Sequence, residues 1–126
     1  MKNIFVLILL FFMLPVQAKH IYKESVYQGY WCNNHGGILE YELKDKSRVD
    51  CMLPNMAVEF DFASKKDECL GQALRYAAYT NKTPACVLIL EKKKDLKYYN
   101  QLQYTIKKLG LNVCLFSITP DDLAKK

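Results

Sequence analysis

The segment Ala57-Val58-Glu59-Phe60-Asp61-Phe62-Ala63 is apolar enough to be a β-strand, yet it carries two carboxylates at i and i+2. Side chains alternate between faces along a strand, so Glu59 and Asp61 fall on the same face. A strand rich in Val and Phe gains no stability from two acids there. A third acid, Asp50, lies in the preceding run Ser47-Arg48-Val49-Asp50-Cys51-Met52-Leu53. Bringing three carboxylates together costs free energy through repulsion and lost solvation, so a positive group is expected beside them. A divalent cation held by oxygen ligands, Mg²⁺ or Mn²⁺, meets that need.

Residues 1–18 follow a separate logic. Lys2 gives a positive start, Ile4 to Leu14 is unbroken apolar sequence, Pro15 ends it, and Val16-Gln17-Ala18 supplies small residues for a signal peptidase. The run is shorter than the ~20 residues a helix needs to span a bilayer. It is therefore expected to be a secretory signal cleaved between Ala18 and Lys19, not an anchor. Residues 19–126 then form one domain, periplasmic or secreted, with no stable membrane association. Loss of Lys2 lowers the net charge from +5 to +4, a mild excess compatible with a polyanionic partner. The lysine pairs and the Lys92-Lys93-Lys94 run are the kind of charge that solvated faces carry. All five cysteines lie beyond the signal, so at least one thiol stays unpaired within a monomer, and the pairing is left open. Cys32-x-x-His35 has no second ligand pair at zinc spacing.

The chain punctuates itself into elements. Ile21 to Cys32 has a helical pattern with Tyr22, Val26 and Tyr30 on one face, stopped by Asn33-Asn34-His35-Gly36-Gly37. Strands are expected near 38–43, 48–53 and 57–63, separated by Lys44-Asp45-Lys46-Ser47 and Pro54-Asn55. Ser64 is placed to N-cap a helix over Lys65 to Tyr79, with Asp67 and Glu68 in its first turn. Ala85 to Leu90 and Leu111 to Ile118 look like strands buried on both faces. Between them Leu96, Tyr99, Leu102, Ile106 and Leu109 mark a helix stopped by Gly110. The order is αβββαβαβ: a mixed five-stranded sheet flanked by helices, its first three strands an antiparallel meander and its last three parallel.

That order, with Asp50 on the second strand and Glu59-x-Asp61 on the third, resembles the PD-(D/E)XK nuclease superfamily, to which restriction endonucleases and Holliday-junction resolvases belong. The core of the resemblance covers Ile21 to Leu90. Gln72-Ala73-Leu74-Arg75-Tyr76 is similar to the Gln-x-x-x-Tyr element of RecB-like exonuclease domains. The resemblance implies a restriction-endonuclease-like core and Mg²⁺- or Mn²⁺-dependent hydrolysis of phosphodiester bonds in DNA or RNA. Asp50, Glu59 and Asp61 would be the metal ligands, and Gln72 would orient water or phosphate. Lys66 and Tyr76 would contact substrate. The chain departs from the family at Asp61, where a lysine usually stabilises charge at the scissile phosphate. Lys65 or Lys66, early in the following helix, is the expected replacement. The same departure is compatible with a catalytically inactive module of this fold that binds a protein or nucleic acid.

One outcome follows from the N-terminal pattern alone. Protein recovered from the periplasm or medium is expected to begin near Lys19 on N-terminal sequencing. Recovery of intact Met1 on a membrane-embedded product would refute cleavage.

Overall fold

The computed structural model describes residues 19–125, so the expected signal segment lies outside the described residues. The elements are α1 (Glu24–Asn34), β1 (Ile38–Glu42), β2 (Arg48–Met52), β3 (Met56–Phe62), α2 (Lys66–Thr80), β4 (Thr83–Ile89), α3 (Leu96–Leu109), β5 (Cys114–Ile118) and α4 (Pro120–Ala124). The five strands form one sheet in sequence order, β1-β2-β3-β4-β5. β1–β2 and β2–β3 pair antiparallel through short turns, whereas β3–β4 and β4–β5 pair parallel. Parallel neighbours need long crossovers, which α2 and α3 supply. The protein is thus an α/β domain with a mixed five-stranded sheet flanked by helices. Among the described residues no helix is long and apolar enough to cross a membrane.

Alternation along the central strands divides the core in two. Val58 and Phe60 of β3 and Ala85, Val87 and Ile89 of β4 pack with Tyr27, Trp31 and Cys32 of α1. On the opposite face Cys86 and Leu88 pack with Cys69 and Ala73 of α2 and Leu102 and Ile106 of α3. A third cluster gathers Val49, Met52, Ala57 and Tyr76 under β2 and β3.

Several local expectations are corrected. The buried face of α1 is Tyr27, Gln28, Trp31 and Cys32, while Tyr22 and Val26 are exposed. A glutamine on the buried stripe disguised the period, and the helix begins only at Glu24 because the chain before it is held elsewhere. The Glu91 carboxylate, whose side chain is 5% exposed, takes up that segment. It accepts from the N–H of Ile21 (2.8 Å), the N–H of Tyr22 (3.3 Å) and the Tyr27 hydroxyl (2.6 Å), and bonds the His20 ring at Nδ1 (2.8 Å). Ser64 does not cap α2. It lies in a 3-10 turn, Ala63–Lys65, and the N-cap position falls on Lys65 with no side-chain cap. On α3 only Leu102 and Ile106 are buried, and Leu96 and Leu109 face water. β5 starts at Cys114, since the Leu111 N–H is still bonded to Ile106 at the end of α3. The short α4 was not expected, although Thr119-Pro120-Asp121-Asp122 is a helix-start signal: Asp122 accepts from the Thr119 N–H and hydroxyl.

A Cys32–Cys51 disulfide ties the last turn of α1 to β2. Gly37 passes directly over it. A Cβ at Gly37 would lie 2.5 Å from Cys51 Sγ, 2.7 Å from Cys32 Sγ and 2.9 Å from a Leu53 methyl. Cys69 and Cys86 are buried free thiols, and Cys114 is a half-buried one.

The Cys32→Ala/Cys51→Ala double variant is expected to lose about 3 kcal/mol in urea unfolding, the scale set by closing a loop of this order. Gly37→Ala is expected to lose about 1–3 kcal/mol by overpacking against a bridge that cannot give way. Equal urea midpoints for either variant and wild type would contradict the corresponding expectation.

Candidate acidic site

The β2–β3 ladder is short. Only Cys51 with Val58 and Met52 with Ala57 are paired, and beyond them carboxylates take over as acceptors. Asp50 Oδ2 accepts the Phe60 N–H at 2.9 Å, and Glu59 Oε1 accepts the Asp50 N–H at 3.3 Å. Each acid satisfies a backbone donor on the other strand that the interrupted ladder would leave open. On the far side of β2, Glu40 adopts φ 51°, a left-handed conformation uncommon for a residue other than glycine. The Gln28 side-chain amide of α1 bridges the irregularity, donating to Glu40 Oε1 (2.7 Å) and to the Asp50 carbonyl (3.0 Å). Those two hydrogen bonds explain why a glutamine is buried on α1.

Burial dominates the electrostatics. The Glu59 carboxyl is pushed up to about 10, first by burial and then by the facing Asp50 charge. A hydrogen bond between the two side chains lets Glu59 keep its proton while Asp50 accepts it. Asp50 is itself raised by burial, with the bonds from Glu59 and the Phe60 N–H pulling the other way. Asp61, at the end of β3, is raised to about 6 by burial, with Lys65 opposing. Glu24, in the first turn of α1, is raised to about 7 by burial and by the charges of Asp61 and Asp50, again against Lys65. Asp50 and Glu59 thus face each other where β2 and β3 part, and Asp61, Glu24 and Glu40 lie within reach of their charge.

The residues singled out from sequence divide accordingly. Asp50 and Glu59 are in direct contact, and Asp61 and Lys65 act on the same electrostatic neighbourhood. Lys66 is turned to Asp67 in a 2.9 Å ion pair. Gln72 is on the exposed side of α2, whereas Tyr76 is buried in the cluster with Val49, Met52 and Ala57, its hydroxyl accepting from Arg75 at 2.9 Å. Lys65, Cys69, Gln72 and Tyr76 thus do not present one common surface: Cys69 and Tyr76 face the core. Sequence reasoning missed Glu24 and Gln28. Their spacing of four, in register with Trp31 and Cys32 on the buried face, was the available signal.

Among the described residues no three His, Cys, Asp or Glu side chains are gathered closely enough to hold a metal ion as they stand. The donor chemistry is oxygen throughout, the kind a hard divalent cation takes, with Lys65 the cation set against these acids. Occupancy would require Glu59 to release its proton. No protein-family model, no curated protein and no solved structure matches the chain.

Glu24 binds a proton more tightly folded than unfolded, between its ordinary value of 4.5 and about 7. Its contribution to stability is therefore present below pH 4.5 and lost as pH rises through 7. Glu24→Gln is expected to match wild type near pH 4.5 and to exceed it by about 1–2 kcal/mol near pH 7.5, part of the effect being screened by solvent. Urea midpoints of both proteins across that range provide the measurement. A constant difference would remove Glu24 from the coupled cluster.

Proposed function

We propose that this domain is an exported, metal-dependent nuclease of the PD-(D/E)XK kind that hydrolyses phosphodiester bonds in nucleic acid. The observation that carries the reading is the concentration of Asp50, Glu59, Asp61 and Glu24 at the parting of β2 and β3, all raised in pKa and with Lys65 as the cation acting on Asp61 and Glu24. Stability alone disfavours such a cluster, and sites kept at a cost to stability are characteristic of function. The Cys32–Cys51 bridge supports an oxidising, extracytoplasmic location.

In this reading Asp50, Glu59 and Asp61 would hold Mg²⁺ or Mn²⁺ once Glu59 gave up its proton and the three side chains closed on the ion. A bound divalent cation polarises a phosphate and lowers the pKa of a coordinated water. The Lys65 ammonium, which already acts on Asp61 and Glu24, would neutralise charge at the phosphate, the task a lysine at the place of Asp61 would otherwise perform. Lys66 is less suited because Asp67 engages it. Gln72, exposed on α2, is available to nucleic acid. Tyr76 serves by seating α2 against β2 and β3. Gln28 and Glu40 position Asp50 through its backbone.

A second reading, an inactive module that binds nucleic acid or a protein, is favoured by one specific feature. Glu59 already accepts the Asp50 N–H and Asp50 the Phe60 N–H, which gives both acids a structural use.

Plasmid, single-stranded DNA and RNA incubated with Mg²⁺ or Mn²⁺ distinguish the two. Cleavage is expected to require the metal and to fall at least about 100-fold in Asp50→Ala and Glu59→Ala, each still folded by circular dichroism. Lys65→Ala is expected to lose more activity than Lys66→Ala. No cleavage by wild type, together with no Mn²⁺ binding by calorimetry, would sink the enzyme reading and leave the module.

A further inference from the structure

With Cys32 and Cys51 joined, three thiols remain, and the fold separates them. Cys69, on the sheet-facing side of α2, and Cys86, on β4, are both fully buried in the same core cluster on the α2–α3 face. They meet at one rung of the sheet. The Cys69 thiol donates to the Glu59 carbonyl at 3.5 Å, and Glu59 is the residue that faces Cys86 in the parallel β3–β4 ladder. Both side chains therefore border the Glu59 rung from the same side of the sheet. Cys114 faces Ala85 in the β4–β5 ladder and packs in the cluster around Trp31, on the other side of the sheet. The sheet itself keeps it from Cys69 and Cys86.

We propose that Cys69 and Cys86 are a second disulfide pair, closed by exchange with a disulfide donor such as an oxidised thiol oxidoreductase or oxidised glutathione, with Cys114 left as the single thiol. The exchange balances without further reactants. One cysteine thiolate attacks a donor sulfur and releases the first donor thiol. The second cysteine thiolate then attacks the mixed disulfide and releases the other. Two protein thiols are oxidised and one donor disulfide is reduced. Both sulfurs are shielded once α2 has docked, so the exchange belongs to folding, before that face closes, and it is slow on the native protein.

The bridge would sit at Glu59 as the Cys32–Cys51 bridge sits beside Asp50. It removes the S–H donor to the Glu59 carbonyl and fastens α2 to β4 across the rung that carries the acid. Both buried carboxylates would then lie on backbone held by covalent staples. This inference does not depend on the nuclease reading.

Trypsin separates all five cysteines onto different peptides: 24–44, 49–65, 67–75, 83–92 and 109–125. The full chain, reduced, denatured and refolded in a glutathione redox buffer, is acid-quenched, alkylated and digested without reduction. The expected map links 67–75 to 83–92 and 24–44 to 49–65, with 109–125 alkylated. Intact mass is expected to be lower than that of the reduced chain by two hydrogens per bridge. Cys114→Ser is expected to leave the map unchanged, and Cys86→Ala to leave 67–75 alkylated. Native, fully reduced protein exposed to the same buffer is expected to form the 67–75 link far more slowly than refolding protein. Recovery of 67–75 and 83–92 both alkylated after refolding, or of either linked to 109–125, would overturn the proposal. Equal rates from native and refolding protein would overturn its assignment to folding.

Discussion

The separation of β2 from β3 after two paired rungs is the constraint around which this domain is organised. Had the ladder continued, backbone carbonyls would have accepted the Asp50 and Phe60 N–H groups, and no carboxylate would have been needed between the strands. Because it stops, Asp50 and Glu59 must enter the gap to satisfy those donors. Their burial follows, and with it the shared proton and the pull on Asp61 and Glu24. Gln28 and the left-handed Glu40 adapt the other edge of β2 to the same interruption. A cluster of acids and an irregular sheet are here one phenomenon.

The same feature sustains both functional readings. Carboxylates acting as backbone acceptors could be purely structural, and two of the four are so engaged. Asp61 and Glu24 are different. Among the described residues Asp61 bonds only the adjacent Phe62 N–H, and it stays at the end of β3 despite burial. Glu24 is drawn into the same field from another element. These two acids, from α1 and β3, are not used to complete the interrupted ladder.

The strands were legible because their signals are local. Turn residues bound each run, and the continuous apolar stretch of β4 could only be a strand covered on both faces. The acids on β3 were legible for the same reason, as polar residues inside an apolar period. What escaped notice depended on tertiary partners. Gln28 looks like surface until its two acceptors are known, and misplacing it rotated the reading of α1 and concealed Glu24. Ser64 has the chemistry of a cap, but the chain leaves β3 through a 3-10 turn and never offers it the capping position. Tyr76 fitted a motif by spacing, whereas its surroundings are a packed cluster.

The Glu91 carboxylate adds a constraint on how this molecule can be handled. It is almost wholly enclosed, and most of its hydrogen bonds come from residues 20–22, which precede the first helix. His20 also lies flat on Phe62, next in sequence to Asp61, with ring centroids 3.4 Å apart. The short stretch ahead of α1 is therefore a tether between the entry to the first helix and the end of the strand bearing the acids. Trimming it to the first helical residue would remove the bonds from residues 20–22 to Glu91, open that carboxylate to water and uncover the Phe62 ring beside Asp61. An affinity tag joined there would have to leave that tether its room, so the opposite terminus is the safer place to attach one.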